Sequence, residues 1–297
     1  MNSPSASYNW QSTWPAPAKL NLFLHVTGRR EDGYHLLQSA FRLIDWCDTL
    51  QLELRDNSTI SRADVVDQGL PVDDLSVRAA RLLQQASGTT MGVHITLDKQ
   101  VPWGAGLGGG SSDAATTLLG LNRLWGLNWP RSQLATLALQ LGADVPFFIA
   151  GHNAWVEGIG EKITSIELPP ARYVVLKPAE AIPTSVIFSS ALLQRNTPPA
   201  IVASFLADPG GFGRNDLQPC ATSHSSQVQV ALDMLAAAFS ASRMSGSGSA
   251  VFAEVGHMPE AELSGTLQRL LATVPAGWTI RQCDGLAVHP LQGWAAD

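Results

Sequence analysis

The sequence predicts an α+β chain organised around two cores. Its 297 residues exceed the usual ~150 per domain. Runs of apolar residues with strand period are interleaved with amphipathic helical stretches, and a glycine-rich loop opens directly onto a strong helical segment.

The Ser-, Pro- and Asn-rich first dozen residues read as a weakly ordered tail over 1–14, with structure beginning near Pro15. Leu20, Leu22 and Leu24 alternate with Asn21, Phe23 and His25, the period of a half-buried strand, and Gly28–Gly33 supplies a turn. Alternation returns over Thr49–Leu54. Leu75, Ala79, Leu82 and Leu83 recur at helical spacing within Asp73–Ser87, and Val93, Ile95 and Leu97 alternate as a strand. After the glycine-rich segment, Ala114, Ala115, Leu118, Leu119, Asn122 and Trp125 fall on one helix face. A second helix is expected over Ser132–Leu141, with Gly142 as its C-terminal cap.

The pattern changes after Gly151. Tyr173–Leu176 reads as a strand, Thr184–Leu193 as a helix and Thr197–Gly213 as an irregular connection. Helix Val228–Phe239, a Gly-Ser loop over Ser245–Ser249, strand Ala250–Val255, helix Glu260–Leu271 and strand Thr279–Cys283 complete an α+β half. The expected division is a tail over 1–14, an N-terminal domain over 15–160 and a C-terminal domain over 161–297.

Hydrophobic residues at 45% exclude wholesale disorder, and 19 Lys plus Arg against 25 Asp plus Glu make a poor footprint for nucleic-acid binding. Cys47, Cys220 and Cys283 form no CxxC pair, which fits a reducing compartment rather than a disulfide framework. Met1–Trp14 lacks the charged and apolar regions of a secretory leader. No segment approaches ~18 uninterrupted apolar residues, so neither nucleic acid nor membrane is an expected partner and the expected location is cytoplasmic. The histidines show no zinc-ligand spacing, and no metal ligand is assigned.

Phosphate recognition needs several backbone N–H groups converging on one point, which glycine permits and a helix N-terminus reinforces. Gly106-Leu107-Gly108-Gly109-Gly110-Ser111-Ser112 supplies both; the alternative is a tight strand-to-helix turn. No GxxxxGK[ST] occurs. Gly104–Gly109 satisfies GxGxxG, but no acidic residue follows about 20 positions on, as a dinucleotide fold requires. A nucleoside-triphosphate loop therefore ranks first.

Asp144, before Val145-Pro146, reads either as a helix N-cap or as the carboxylate that phosphoryl transfer to an alcohol needs for the hydroxyl proton. Lys19 is one of only four lysines and sits at a strand start in Pro17-Ala18-Lys19-Leu20-Asn21, so it is either an ordinary surface lysine or the cation that stabilises the transferred group.

Pro102-Trp103-Gly104-Ala105-Gly106-Leu107-Gly108-Gly109-Gly110-Ser111-Ser112-Asp113-Ala114-Ala115 is similar to the ATP loop of the galactokinase, homoserine kinase, mevalonate kinase and phosphomevalonate kinase superfamily. Within it, Pro17–Leu24, Arg30-Glu31-Asp32-Gly33-Tyr34-His35 and Gly142-Ala143-Asp144-Val145-Pro146-Phe147-Phe148 resemble the branch whose alcohol substrate carries a cytidine diphosphate. Asn215-Asp216-Leu217 and Met244–Ala250 complete the pattern in order.

The resemblance implies a two-domain small-molecule kinase with a ribosomal-protein-like N-terminal half, a ferredoxin-like C-terminal half and the active site in the cleft between. It implies ATP with Mg2+ as cofactors, and transfer of the γ-phosphoryl group to the 2-hydroxyl of a cytidyl diphospho-methylerythritol in the non-mevalonate route to isoprenoids. Carried over by position, Asp144 is the catalytic base and Lys19 its partner. Lys99, Pro102, Gly104, Gly106, Leu107, Gly108, Gly109, Gly110, Ser111 and Ser112 bind ATP. Asn21 holds the methylerythritol side. Tyr34 and His35 bind cytosine, with Phe188 on the opposite face and Thr184 lining the pocket. Asp113 is expected to face away from the phosphates, toward the helix N-terminus. The enzyme is expected to be a monomer or homodimer. Two other classes, a dinucleotide-dependent oxidoreductase and a ligand sensor that kept the fold, are disfavoured by the missing acidic residue and by the joint presence of Lys19 and Asp144.

Overall fold

The computed structural model describes residues 12–67 and 69–297. Most of the expected N-terminal tail lies outside them. Trp14, placed in that tail by the sequence, instead opens the first strand, fully buried and with its ring edge against Trp294.

The first half is a six-stranded sheet covered by helices. Strand β1 (Trp14–Arg29) pairs antiparallel with β2 (His35–Arg55). Then follow β3 (Ile60–Asp64), α1 (Leu75–Ser87) and β4 (Gly92–Asp98). Next are α2 (Gly109–Leu124), α3 (Arg131–Ala138) and α4 (Val145–Ala150), then β5 (Ala154–Gly158) and β6 (Lys162–Ser165). The sheet order is β3-β4-β2-β5-β6, with β1 also paired to β2. β2 is a single long strand, so the expected Thr49–Leu54 strand is only its C-terminal end, where it pairs with β4. The sheet also runs past residue 160, because β6 pairs with β5.

Local signals explain several boundaries. Asp74 accepts a hydrogen bond from the Val77 N–H and starts α1, while Gly88 at φ 70° ends it. α3 stops at Ala138, before the expected Leu141, and its C-cap is Leu139 rather than Gly142. The chain leaves the helix through tight turns closed by Gln140 N–H to Leu137 O at 3.1 Å and Leu141 N–H to Ala138 O at 2.9 Å.

The second half contains β7 (Arg172–Lys177), α5 (Thr184–Ser189), α6 (Val202–Ala207), α7 (Gln218–His224), α8 (Ser226–Phe239), β8 (Arg243–Met244), β9 (Val251–Glu254), α9 (Glu260–Leu271) and β10 (Thr279–Asp284). Its antiparallel sheet has the order β10-β7-β9-β8. With α8 between β7 and β8 and α9 between β9 and β10, this is the ferredoxin-like βαββαβ arrangement. α5 ends at Ser189, short of the expected Leu193, and the segment expected to be irregular holds the short α6.

Three apolar clusters hold the molecule together. One lies between the first sheet and α1–α4, and one between the second sheet and α7–α9. The third joins the halves, packing Leu20, Leu22, Phe23, Ile44 and Trp46 against Tyr173, Val175 and Phe252. That interface corrects the half-buried reading of β1. Leu20 through Leu24 are all buried, because the second half covers the face that the alternation left to solvent. Among the described residues no helix is long and apolar enough to cross a membrane.

Candidate active site

β1 brings Lys19 and Asn21 to the junction of the halves. The Lys19 N–H donates to Leu107 O at 2.9 Å, fixing the strand to the glycine loop. The Lys19 side chain is almost fully buried. Its Nζ donates to Asn21 Oδ1, lies 4.5 Å from the centroid of the Phe41 ring and is 3.6 Å from Asp144 Oδ2. Burial lowers the ammonium pKa, and Asp144 restores part of it. A buried cation with a carboxylate at ion-pair distance is not an ordinary surface lysine.

Asp144 precedes α4, a helix of six residues that is too short to stand alone. It is held by the burial of Val145–Ile149 and by Phe147, whose ring stands edge-on to Phe41 with centroids 5.1 Å apart. Asp144 occupies the N-cap position but makes no side-chain capping bond. Its carboxylate is instead one-third exposed in the cleft, directed at Lys19.

The glycine loop is built against a second loop, Ser245–Ser249. Gly106 has φ 76°, and a Cβ there would fall 2.2 Å from Ser245 O. Ser245 Oγ donates to Gly106 O at 2.9 Å and accepts the Asn21 N–H at 3.1 Å. Asn215 Nδ2 donates to Met244 O at 2.8 Å and Gly246 O at 2.7 Å. Gly108, at φ 72°, is the N-cap of α2, so the helix begins beside the Lys19 side chain. The first turn of α2 and the Lys19 cation together make this end of the cleft positive, as a polyphosphate requires. Ser112, in that turn, has a buried hydroxyl without a hydrogen-bond partner.

A cavity of about 820 Å³ runs from this loop across the cleft. It is lined by Lys19, Asn21, Asp144, Gly104, Gly106 and Gly108 at one end, and by Tyr34, His35, Thr184 and Phe188 at the other. Tyr34 is 62% exposed. His35 and Phe188 stand with centroids 5.0 Å apart and planes 32° apart, so their rings already face one another. Thr184 Oγ1 and Ser247 Oγ are hydrogen-bonded at 2.8 Å, tying the start of α5 to the Ser245–Ser249 loop within the second half.

Other expected residues lie elsewhere. Lys99 does not line the cavity. Its Nζ is buried between Asp48 and Asp113, 2.8 Å from Asp113 Oδ2. Burial would lower this ammonium pKa, but the two carboxylates outweigh it and hold it above its usual value. Asp113 therefore turns inward to a buried cation and not toward the helix N-terminus, and burial pushes its carboxyl well above the usual range. Pro102, Leu107, Gly109, Gly110, Ser111 and Ser112 also lie outside the cavity lining. The sequence reading gave no role to Ser245, Asn215 or Arg195, although the first two sit in segments it had singled out.

Residues 74–152 match the GHMP kinases N-terminal domain. A 4-diphosphocytidyl-2-C-methyl-D-erythritol kinase of Methylibium petroleiphilum is 60% identical over 95% of this chain and 96% of its own length. The enzyme of that name from Variovorax paradoxus is 56% identical over 95% and 97%. The crystal structure of a 4-(cytidine 5'-diphospho)-2C-methyl-D-erythritol kinase superposes with a TM-score of 0.78 at 33% identity, covering 93% of this chain and all of that one. A homoserine kinase from Cytophaga hutchinsonii, at 16% identity and a TM-score of 0.68 over 97% of this chain and 98% of its own, shares the fold.

Proposed function

The chain belongs to the GHMP kinases, on their 4-diphosphocytidyl-2-C-methyl-D-erythritol kinase branch, and we propose that its phosphoryl transfer is carried by Lys19 and Asp144 above the glycine loop. The reaction is ATP-dependent phosphorylation of the 2-hydroxyl of 4-diphosphocytidyl-2-C-methyl-D-erythritol, giving its 2-phosphate and ADP in the methylerythritol phosphate route to isoprenoid precursors.

The observation that carries the residue assignment is the 3.6 Å approach of Lys19 Nζ to an Asp144 carboxylate that makes no capping bond. Asp144 orients the 2-hydroxyl and takes its proton. Lys19 holds Asp144 in place and offsets negative charge as the phosphoryl group moves, so the catalysis is positioning and electrostatics with no covalent enzyme intermediate. The backbone N–H groups from Gly106 to Ser112 hold the ATP phosphates.

Magnesium accompanying ATP would neutralise phosphate charge. Among the described residues no group of three or more His, Cys, Asp or Glu side chains is placed to hold a metal. Such an ion would be held mainly by phosphate and water oxygens, with the Asp144 carboxylate as the protein oxygen that opens to the cleft. At the far end of the cavity, the exposed Tyr34 ring and Phe188 offer faces for a pyrimidine, His35 offers a hydrogen bond to its edge, and Asn21 reaches the methylerythritol side. We place the division between the two domains in residues 166–171, between β6 and β7.

ADP release with ATP, magnesium and the cytidyl substrate, beside mevalonate, homoserine and galactose, tests this reading. Release with the cytidyl substrate alone is expected. Release with another alcohol instead would overturn the cytidine assignment of Tyr34, His35 and Phe188.

A further inference from the structure

Arg195 is the residue at the cytidine end that neither the known activity nor the sequence pattern accounts for. Its Nε–H donates to His35 Nε2 at 3.0 Å. Its Nη1 donates to Leu193 O at 3.0 Å, and its Nη2 to Phe188 O at 3.2 Å and Ser190 O at 3.0 Å. Every nitrogen of the guanidinium is therefore engaged. One edge ties down the carbonyls at the C-terminal end of α5, which an isolated helix end leaves without partners. The other grips a ring at the start of β2, in the opposite half of the molecule.

This geometry has a chemical consequence. A guanidinium has no acceptor atom, so His35 Nε2 must be the acceptor in this bond and cannot carry a proton. The neutral ring then carries its proton on Nδ1. With Nε2 taken, Nδ1 is the ring nitrogen left for a ligand in the cavity that His35 lines. Two guanidinium groups bear on the ring, Arg195 after α5 and Arg29 at the end of β1. Asp32, in the turn between β1 and β2, lines the same cavity and is paired with Arg30 at 2.6 Å. Burial and the two arginines hold the imidazole pKa below its usual value, so the ring is neutral at pH 7.

We propose that Arg195 is the specificity-setting positioning residue of this enzyme, fixing His35 as an Nδ1–H donor against Phe188 and so selecting cytosine over uracil. The two bases differ at this edge. Cytosine N3 is an acceptor and matches an N–H donor, whereas uracil N3 carries a proton and meets it donor to donor. A site that presents a fixed donor rejects the mismatched base, because a buried polar group is left unpaired. An unrestrained imidazole could move its proton to Nε2 and accept from uracil instead.

The proposal rests on the cytidyl substrate reading, and its test separates the two. The His35 ring tautomer is read by two-bond ¹⁵N–¹H correlation in the full-length protein without substrate, and kcat and KM are compared for the cytidyl substrate and its uridyl analogue. The wild type is expected to show the Nδ1–H tautomer. In Arg195→Leu the Nε2–H tautomer should appear, and KM for the cytidyl substrate should rise about tenfold, the worth of one such hydrogen bond. The preference for cytidyl over uridyl substrate in kcat/KM should fall about as much, while kcat changes by less than about twofold. Arg195→Lys, which keeps a cationic N–H donor and no acceptor, should restore the tautomer and most of the preference. An Nε2–H tautomer in the wild type overturns the proposal without any variant, and so does an unchanged base preference in a folded Arg195→Leu. Failure of the wild type to phosphorylate the cytidyl substrate would overturn the underlying reading, and the selectivity claim with it.

Discussion

Lys19 Nζ lies 3.6 Å from Asp144 Oδ2, with the lysine buried against Phe41 and Asn21 and the carboxylate partly open to the cleft. This asymmetry suits the two roles. The cation is fixed in a place where its field is weakly screened, and the carboxylate can still reach a hydroxyl in the cavity. The relationship joins β1 to the start of α4, and β1 is bonded through Lys19 N–H to Leu107 O, so the proposed proton acceptor and the proposed phosphate cradle are tied to one strand.

In its proposed role Lys19 acts as a cation, and because burial lowers its pKa, activity should have an alkaline limit. The cationic form is required, so kcat/KM should fall on the alkaline side at a pH below the ~10.4 of a free lysine. Lys19→Met should lower kcat by about 10²–10⁴ at pH 7.5. Lys19→Arg, which stays charged, should retain measurable turnover and lose the alkaline limb. Steady-state pH profiles of the three proteins check this. A lysine-like limb persisting in Lys19→Arg would show that another group titrates.

Gly106→Ala tests the contact between the two glycine loops. The new Cβ would fall 2.2 Å from Ser245 O at a backbone φ of 76°. The left-handed conformation alone costs about 1–2 kcal/mol for a non-glycine residue, and displacing the loop should lower kcat/KM for ATP by about a hundredfold. Thermal unfolding and ATP-dependent kinetics measure the two effects separately. Wild-type values of both would mean that the loops do not need this close approach.

Lys99 separates support of the glycine loop from contact with nucleotide. Lys99→Met leaves Asp48 and Asp113 buried without the cation between them, and should destabilise the fold by about 3–5 kcal/mol. Any change in ATP affinity should be the smaller effect. Denaturant unfolding beside ATP titration decides it. A stable variant with weakened ATP binding would restore Lys99 to the nucleotide site.

His289 gives the fold an acid-sensitive element. Its pKa is lowered to about 3 by burial and by Arg131, its Nδ1 accepts the Leu291 N–H at 3.0 Å, and its Nε2 is buried without a partner. An imidazole with a lowered folded-state pKa is protonated preferentially in the unfolded chain. Its contribution is therefore full above the unfolded value of ~6.5 and falls by about 1.4 kcal/mol per pH unit down to the folded value. His289→Gln, which can still accept from Leu291, should flatten the decline in stability between pH 6.5 and 4, measured by urea unfolding. Equal slopes in both proteins would contradict the buried neutral histidine.

Much of this arrangement is legible in the sequence, and the residues show where legibility stops. α2 could be read because its apolar face follows the glycines directly, and Gly108 does open it. The C-terminal half could be read as far as its strands and helices, but its β10-β7-β9-β8 order comes from pairing that periodicity does not encode. β1 reads as half-buried because alternation reports one sheet face, whereas its second face is covered by Tyr173, Val175 and Phe252 from the other half. The family resemblance implies a nucleotide role for Lys99. Its actual partner Asp48 sits on β2, a relation no local pattern carries. Asp144 has two local readings, a helix cap and a proton acceptor, and the missing capping bond and the approach to Lys19 are what favour the proposed second role. Arg195 had no local signal at all, because its meaning lies in the bond to His35 from the opposite half.

The most direct test of the Lys19–Asp144 account is single-turnover phosphorylation of 4-diphosphocytidyl-2-C-methyl-D-erythritol by Asp144→Asn, with ATP and substrate affinities measured on the same protein. The account predicts that the rate of the chemical step falls by about 10²–10⁴ while both ligands still bind within a few-fold of wild type. A folded variant that transfers phosphate at close to the wild-type rate would contradict it and remove Asp144 as the proton acceptor.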